Sequence, residues 1–310
     1  MTTLSQRRAE PVPETVEKRV RSVYPSPEAR SKLMAIYDAK LARWPVAFDE
    51  RDVVTRYGRT HVVSSGRPEA PPLVLLHAAG VAAFMWRSVI GPLSERYRTH
   101  ALDTIGDAGK SLLLDPAKHP RKGEEYSAWL GDVFAGLEIE AANVVASSMG
   151  GWIALNYAAD FPGRVTRLCL LGPMGLPSWP VTLRVLLRLM SATVLPSQSK
   201  KERLVSWAVG DDAVVRAEIG DWMAAVLDSG CAPKLGNPLP VPARKLRAIR
   251  APTLVVLGGR DGPVGDADKV ATRAKRYIRT VDVEVLPDNG HAMSVEAPEH
   301  VARRILAFLD

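Results

Sequence analysis

Apolar residues gather in short continuous runs along most of this chain, and polar and charged residues lie between the runs. A continuous apolar run predicts a parallel strand that is covered on both faces. Such runs lie at 72–77, 99–103, 142–147, 166–171, 253–258 and 281–286. Stretches with helical spacing of apolar residues lie between them, at 84–97, 123–138, 149–161, 266–278 and 296–309. This alternation predicts an α/β protein with a mostly parallel, doubly wound sheet.

An antiparallel pair of strands is predicted ahead of these units. Residues 52–57 and 60–65 alternate between apolar and polar side chains and are joined around Gly58, which is the pattern of a hairpin. Residues 1–25 are charged and contain prolines. We expect this first segment to form a loose N-terminal arm.

A helix is predicted between the arm and the hairpin. Ser26 and Pro27 are residue types that cap and open a helix. Apolar residues from Leu33 to Trp44 recur at spacings of three and four, which predicts one stripe that packs on the main body. Pro45 then ends the helix, because proline has no amide hydrogen to donate.

A long interval with a mostly helical pattern separates the strand that ends near Leu171 from the one that starts near Thr253. We interpret it as a helical cap inserted between the sixth and seventh strands of the fold. The predicted division is an arm at 1–25, a core at 26–173 and 251–310, and a cap at 174–250.

The composition is that of a globular protein, because 310 residues with 46% hydrophobic content can bury a sizeable core. Cys169 and Cys231 lack CxxC spacing, which argues against a disulfide framework or a zinc site. The six histidines show no HExxH spacing. Neither 109–111 nor 258–262 completes a nucleotide-binding motif. We therefore expect no metal and no cofactor.

The net charge of +7 permits weak attraction to anionic surfaces. No basic stripe with interleaved aromatic residues is present, so no nucleic-acid partner is expected. The first residues lack the apolar segment of an export signal, and no run reaches the roughly 18 to 20 apolar residues of a membrane-spanning helix. We expect a soluble, cytoplasmic monomer or homodimer without membrane contact.

A candidate nucleophile lies at the end of the 142–147 run. Ser148 is followed by Gly150 and by a helical pattern, and a sharp strand-to-helix turn needs small residues two positions to either side of its serine. The usual motif is GxSxG, and Ala146 stands here in place of the first glycine. A simpler alternative is a serine that caps the helix.

A serine hydroxyl needs a general base that is oriented by a carboxylate. Asp261 follows the 253–258 run and His291 follows the 281–286 run. The chain order is therefore Ser148, Asp261, His291, which predicts a catalytic triad. Asp288 is a rival carboxylate, which we interpret as structural because it lies in the same turn as the histidine.

An oxyanion hole is the remaining requirement, and backbone amides can supply it. We assign one amide to Met149, directly after the serine. The second is assigned to Ala79, in the loop HisAlaAlaGly at 77–80 that follows the first parallel strand.

These motifs resemble the α/β-hydrolase superfamily, and within it bacterial carboxylesterase-like serine hydrolases, from Pro72 to the carboxyl end. The loop at 103–111 and the connection at 161–165 are similar to the corresponding segments of that family. Ala78 stands where its members usually have glycine. The resemblance implies the α/β-hydrolase fold and hydrolysis of a carboxylic ester.

The substrate is expected to be an apolar small-molecule ester, because the cap is rich in large apolar residues. The candidates for substrate contact are Met174, Trp179, Trp207 and Trp222. The same triad could serve a lactonase, a thioesterase, a carbon–carbon bond hydrolase or an acyltransferase. A hydrolase-fold protein that binds a ligand without turnover is the alternative outside the enzymes.

Overall fold

The computed structural model describes residues 23–177, 183–185, 187–188 and 197–310, so most of the predicted arm lies outside the described residues. The end of that arm is not loose, since Val23 and Tyr24 are buried. The Tyr24 hydroxyl donates to the Gly109 carbonyl (2.7 Å) and accepts the Gly109 amide (2.8 Å). These contacts bind the segment to the 103–111 loop.

Nine strands form one sheet within the described residues, in the order β1-β2-β4-β3-β6-β7-β8-β9, with β5 paired to β2. Their bounds are β1 Phe48–Thr55, β2 Gly58–Ser65, β3 Pro72–Leu76, β4 Arg98–Leu102, β5 Leu112–Leu113, β6 Ala142–Ser147, β7 Val165–Leu171, β8 Thr253–Gly258 and β9 Val281–Leu286. The pairs that involve β2 are antiparallel, and the pairs from β4–β3 to β8–β9 are parallel. The predicted hairpin and mostly parallel sheet are confirmed, and the two-residue β5 was not predicted.

Helices lie on both faces of the sheet. Their bounds are α1 Pro27–Leu41, α2 Ile90–Arg96, α3 Gly123–Gly136, α4 Met149–Asp160, α5 Gln198–Val209, α6 Ala213–Val215, α7 Asp221–Asp228, α8 Ala243–Ala248, α9 Ala267–Tyr277, α10 Met293–Glu296 and α11 Pro298–Leu309. A π-helix, Arg216–Gly220, joins α6 to α7. Neighbouring residues of one strand face opposite sides: Val74 packs in the cluster with α3, α4 and α9, whereas Leu73 and Leu75 pack in the cluster with α1, α2 and α11.

Two helices differ from the sequence predictions. The stretch predicted at 84–97 is a 3₁₀ helix, Ala83–Ser88, followed by α2. The break has a physical cause, because the ring of Pro92 would meet the carbonyl four residues earlier, at Ser88, in a continuous helix. Helix α1 has the predicted cap, with the Ser26 hydroxyl accepting the Ala29 amide (3.2 Å), but it ends at Leu41 rather than just before Pro45.

The helical insertion, represented by α5 to α8, lies between β7 and β8. Without the short β5 these are the sixth and seventh strands of the chain. The insertion returns along the carboxyl ends of the strands, where the Lys234 amide donates to the Gly106 carbonyl (2.7 Å) and the Val241 amide to the Gly175 carbonyl (2.8 Å). The domain boundaries at 174 and 250 stay a prediction. None of the helices in the described part of the chain combines the length and apolar character needed to cross a membrane.

Candidate active site

Ser148 occupies the turn between β6 and α4 in a left-handed backbone conformation, with φ 51°. Such a conformation strains a residue other than glycine, and Glu138 is the one other non-glycine residue with a positive φ among the described residues. The Ser148 side chain makes no capping hydrogen bond to α4. Helix capping therefore does not explain this serine, and the strained turn has the geometry of a nucleophile elbow.

Gly150 allows α4 to approach the end of β3 closely. A Cβ at this position would lie 2.4 Å from the Leu76 carbonyl oxygen and 2.8 Å from that of His77. The Gly150 amide donates to the His77 carbonyl (3.2 Å). Ala146 is an ordinary strand residue that pairs with Leu76 and Leu170, so the alanine in place of the motif's first glycine fits without a left-handed φ.

Replacement of Gly150 with alanine is expected to lower the free energy of unfolding by about 1–3 kcal/mol, because backbone atoms must shift to admit the Cβ. Gly131→Ala in α3 is the matched control, since a Cβ there meets only an ordinary contact with Tyr157, at 3.9 Å. Denaturant unfolding of both variants measures the difference. Equal stability of the two variants would show that the contact at Gly150 is easily relieved.

Asp261 and His291 lie in the loops that follow β8 and β9, and their side chains meet. His291 Nδ1 is 2.8 Å from Asp261 Oδ2. The other carboxylate oxygen, Oδ1, accepts the Val264 amide at 2.8 Å. Because an ionised carboxylate can only accept, the shared proton is assigned to Nδ1. Nε2 of the imidazole is thereby left as an acceptor, the state that a general base requires.

Glu296, in α10, holds the loop that carries His291. Its carboxylate accepts the amides of Gly290 (2.5 Å) and Ala292 (3.2 Å), on both sides of the histidine. The sequence patterns did not point to this residue. Its only sequence signal was a carboxylate five positions after His291, at the start of a helical pattern.

The pKa of His291 reflects two opposing effects. Burial lowers it, but the negative charge and hydrogen bond of Asp261, with the charge of Glu296, outweigh burial and hold the pKa above its ordinary value. Asp288, the rival carboxylate, is exposed and pairs with Arg260 at 2.6 Å. Asp261 is therefore the carboxylate that holds His291.

Gly172 connects this pair to Ser148. The Ser148 amide donates to the Leu171 carbonyl (3.0 Å), and the next residue, Gly172, has a left-handed φ of 50°. A Cβ on Gly172 would lie 2.8 Å from Asp261 Oδ2 and 3.2 Å from His291 Nδ1. The Ser148 hydroxyl has no hydrogen-bond partner among the described residues, and catalytic hydrogen bonds of this kind often close only with substrate bound.

The two predicted oxyanion donors lie beside the elbow. The Met149 amide is the first of α4 and has no acceptor within the helix. Ala79 is in the loop at 77–80, which the hydrogen bond from Gly150 to His77 joins to the start of α4. No acceptor within the described part of the chain takes the Ala79 amide, and the role of the two amides as oxyanion donors stays a prediction.

His77 fixes the peptide that carries the Ala79 amide. Its Nε2 accepts the Thr104 amide (2.8 Å), which assigns the ring proton to Nδ1. Nδ1 then donates to the Ala78 carbonyl (2.7 Å). Ala78 itself does not adopt a left-handed φ, so alanine fits where members of the resembled family usually have glycine.

The predicted substrate contacts have different surroundings. Met174 is buried, and its amide donates to the Ser148 carbonyl (2.9 Å). Trp207 packs against Gly262, the neighbour of Asp261, where a Cβ would lie 2.7 Å from the indole Nε1. Trp179 lies outside the described residues. Met174 and Trp207 are thus brought close to the site.

Trp222, in α7, is fully buried. Its ring packs edge-on against those of Tyr37 and Phe84, with centroids 6.1 and 5.2 Å away. This packing ties α7 to α1, and the role of Trp222 in substrate contact stays a prediction. The next residue, Met223, places its terminal methyl 4.0 Å from the Cβ position of Gly80, so it covers the 77–80 loop.

No cluster of three or more His, Cys, Asp or Glu side chains suited to a metal ion is found in the described residues. The donor groups of the site are instead one hydroxyl, one imidazole, one carboxylate and two backbone amides. Such a set is suited to acyl transfer, in which a serine attacks a carbonyl and amides bind the resulting oxyanion.

Comparison with known proteins agrees with this fold. Residues 73–304 match the model of the Alpha/beta hydrolase family. The chain is 32% identical to "Uncharacterized carboxylesterase nap" of Bacillus subtilis over 282 residues, 88% of this chain and 91% of that protein. It is 28% identical to Carboxylesterase YbfK of the same organism over 290 residues, 91% of this chain and 95% of that protein.

A solved structure is similar over nearly the whole length. The crystal structure of naproxen esterase (carboxylesterase NP) from Bacillus subtilis matches with a TM-score of 0.84 and 28% sequence identity. The match covers 92% of this chain and 99% of the esterase. The similarity therefore extends over the inserted segment as well as the sheet.

Proposed function

Because this chain belongs to the alpha/beta hydrolase family and is a carboxylic ester hydrolase, we propose that it cleaves apolar small-molecule esters through an acyl-enzyme on Ser148. The observation that carries the proposal is the hydrogen bond between His291 and the buried Asp261 carboxylate (2.8 Å). Gly172 places this pair against the strained turn of Ser148. No simpler structural role explains all three residues together.

The proposed reaction has two half-reactions. The Ser148 oxygen attacks the ester carbonyl and transfers its proton to His291 Nε2, while the amides of Met149 and Ala79 bind the oxyanion. Collapse of this intermediate breaks the ester C–O bond, and His291 returns the proton to the leaving alcohol. Water then attacks the acyl-enzyme with the same proton relay, which releases the acid and restores the Ser148 hydroxyl.

The identity of the nucleophile limits the classes of reaction that the site can catalyse. An alkyl-enzyme mechanism, as in dehalogenation or epoxide opening, requires a carboxylate attacker. The elbow carries Ser148 instead. A serine forms an acyl ester with a carbonyl substrate, so the proposal is acyl transfer to water.

An apolar substrate is supported by the side chains near the site. Trp207 lies against Gly262, and Met223 lies over Gly80. Both come from the insertion and contact opposite loops of the site. A substrate between them would lose apolar surface to water on binding, which favours an apolar ester.

A hydrolysis panel tests the proposed function. The panel contains p-nitrophenyl esters of increasing acyl length, together with lactones and thioesters. We expect the esters to be hydrolysed with higher kcat/KM than the lactones and thioesters, and kcat/KM to rise as apolar methylenes are added. Preferred turnover of lactones or thioesters would replace the ester assignment, and no turnover of any member would favour a binding protein. A cytoplasmic location and a monomeric or dimeric state stay predictions.

A further inference from the structure

Asp107 is a buried carboxylate whose two oxygens both accept backbone amides. Oδ2 accepts the Gly80 amide at 2.9 Å, and Oδ1 accepts the amide of Ala108 at 2.7 Å. The residue is 2% exposed. A buried charge is costly unless hydrogen bonds compensate it, and here the amides of Gly80 and Ala108 supply them.

The hydrogen bond between the Gly80 amide and Asp107 holds the loop at 77–80 at a second point, in addition to the one held by His77. His77 donates to the Ala78 carbonyl (2.7 Å), and the Val81 amide donates to the same oxygen (3.3 Å). The Ala78 carbonyl and the Ala79 amide belong to one planar, trans peptide group and point in opposite directions. Fixing the carbonyl therefore fixes the direction of the amide.

The geometry points to Asp107 as a positioning residue for the oxyanion hole. By accepting the Gly80 amide it fixes the peptide that follows Ala79, as His77 fixes the peptide that precedes it. The Ala79 amide is then held toward the reacting carbonyl before substrate arrives. This inference rests on the proposed function, because it assigns the Ala79 amide to an oxyanion.

The ionisation of Asp107 gives the inference a measurable consequence. Burial raises the pKa of Asp107 to about 6, while the hydrogen bonds from Ala108 and Gly80 act to lower it. The titratable groups that face it from the surrounding elements are His77, Asp103, Tyr126 and Cys231. Below about pH 6 Asp107 is protonated and is a weaker acceptor, so its hydrogen bond with the Gly80 amide is weakened.

Protonation of Asp107 and of His291 both lower activity on the acid side. If His291 were the single group whose protonation lowers activity, a plot of log kcat/KM against pH would have a slope of one on the acid side. Loss of the carboxylate at Asp107 steepens the acid limb toward a slope of two over about one to two pH units below about pH 6. A carboxylate that served packing alone would leave this slope at one.

Asp107→Asn tests the inference. The asparagine keeps the shape of the side chain but turns an N–H donor toward one of the two amides, of Gly80 or Ala108, that the carboxylate accepts. We expect kcat for an ester to fall about 10- to 100-fold, because a misplaced oxyanion donor loses much of its effect. KM is expected to change less than threefold, and the slope of the acid limb is expected to stay at one. Asp115→Asn is the matched control, because Asp115 is half-buried and accepts the Ala117 amide at the start of a short helix, Pro116–Lys118, that follows β5.

Covalent labelling separates failure of this inference from failure of the proposed function. Wild-type protein that does not react with a fluorophosphonate at Ser148 overturns the proposed function. Wild-type protein that is labelled, with an Asp107→Asn variant that keeps wild-type kcat, overturns the inference alone. If the variant does not fold, the wild-type profile decides: a slope of one throughout the acid limb, with full activity on return to pH 8, overturns the inference.

Discussion

Replacement of Ser148 with alanine is expected to lower kcat for ester hydrolysis by about 10⁴- to 10⁶-fold, because it removes the atom that forms the acyl-enzyme. The fold should persist. The hydroxyl has no hydrogen-bond partner among the described residues, and the backbone contacts of Ser148 with Leu171 and Met174 do not depend on the side chain. Steady-state kinetics with a p-nitrophenyl ester measures the loss, and circular dichroism checks the fold.

Ser147→Ala is the matched control for this variant. Ser147 is the adjacent serine, buried at the end of β6, and lacks the strained turn. We expect Ser147→Ala to retain kcat within about threefold, since it removes no group that the mechanism uses. A large loss in Ser147→Ala with activity retained in Ser148→Ala would move the nucleophile by one residue and contradict the site geometry.

Replacement of Asp261 with asparagine is expected to lower kcat by about 10⁴-fold. An asparagine can present its amide to His291 Nδ1, which favours the tautomer with the proton on Nε2. That tautomer cannot accept the serine proton. Kinetics of Asp261→Asn measures this loss, and Asp288→Asn is the control, because Asp288 is exposed and pairs with Arg260. Loss of activity in the control alone would assign the orienting role to the rival carboxylate.

The same variant should change the pH profile of the residual activity. His291 acts as a base in its neutral form, so activity rises as pH increases through its pKa. Burial lowers that pKa, and Asp261 is the stronger of the two carboxylates that raise it. Without the carboxylate the pKa falls, and the midpoint of the acid limb should move to lower pH. A midpoint that stays in place or moves to higher pH would contradict this electrostatic role.

The main strands and the elbow could be predicted from sequence because their signals are local. Runs of apolar residues mark strands that are covered on both faces, as at 72–77 and 253–258, and Gly150 marks the close approach of a helix to a strand. The break at Val89 was missed although its cause is also local. Pro92 prevents the 3₁₀ helix Ala83–Ser88 and α2 from forming one continuous helix. The spacing of apolar residues on both sides of it is nevertheless that of a single helix.

The contacts that complete the site could not be predicted, because they join distant parts of the chain. Asp107 meets Gly80 only after β3 and β4 pair in parallel and bring their following loops together. Tyr24 belongs to a segment whose composition predicts a loose arm, yet its hydroxyl binds Gly109. Such contacts depend on tertiary structure, and residue spacing carries no signal for them.

The central claim is that Ser148 is the nucleophile that becomes acylated, and covalent labelling followed by peptide mapping tests it most directly. Purified protein is treated with a fluorophosphonate, digested and analysed by mass spectrometry. The mechanism predicts one adduct per chain, on Ser148, and strong suppression of labelling in His291→Ala. No adduct, or an adduct on Ser147 or another residue in place of Ser148, would contradict the claim.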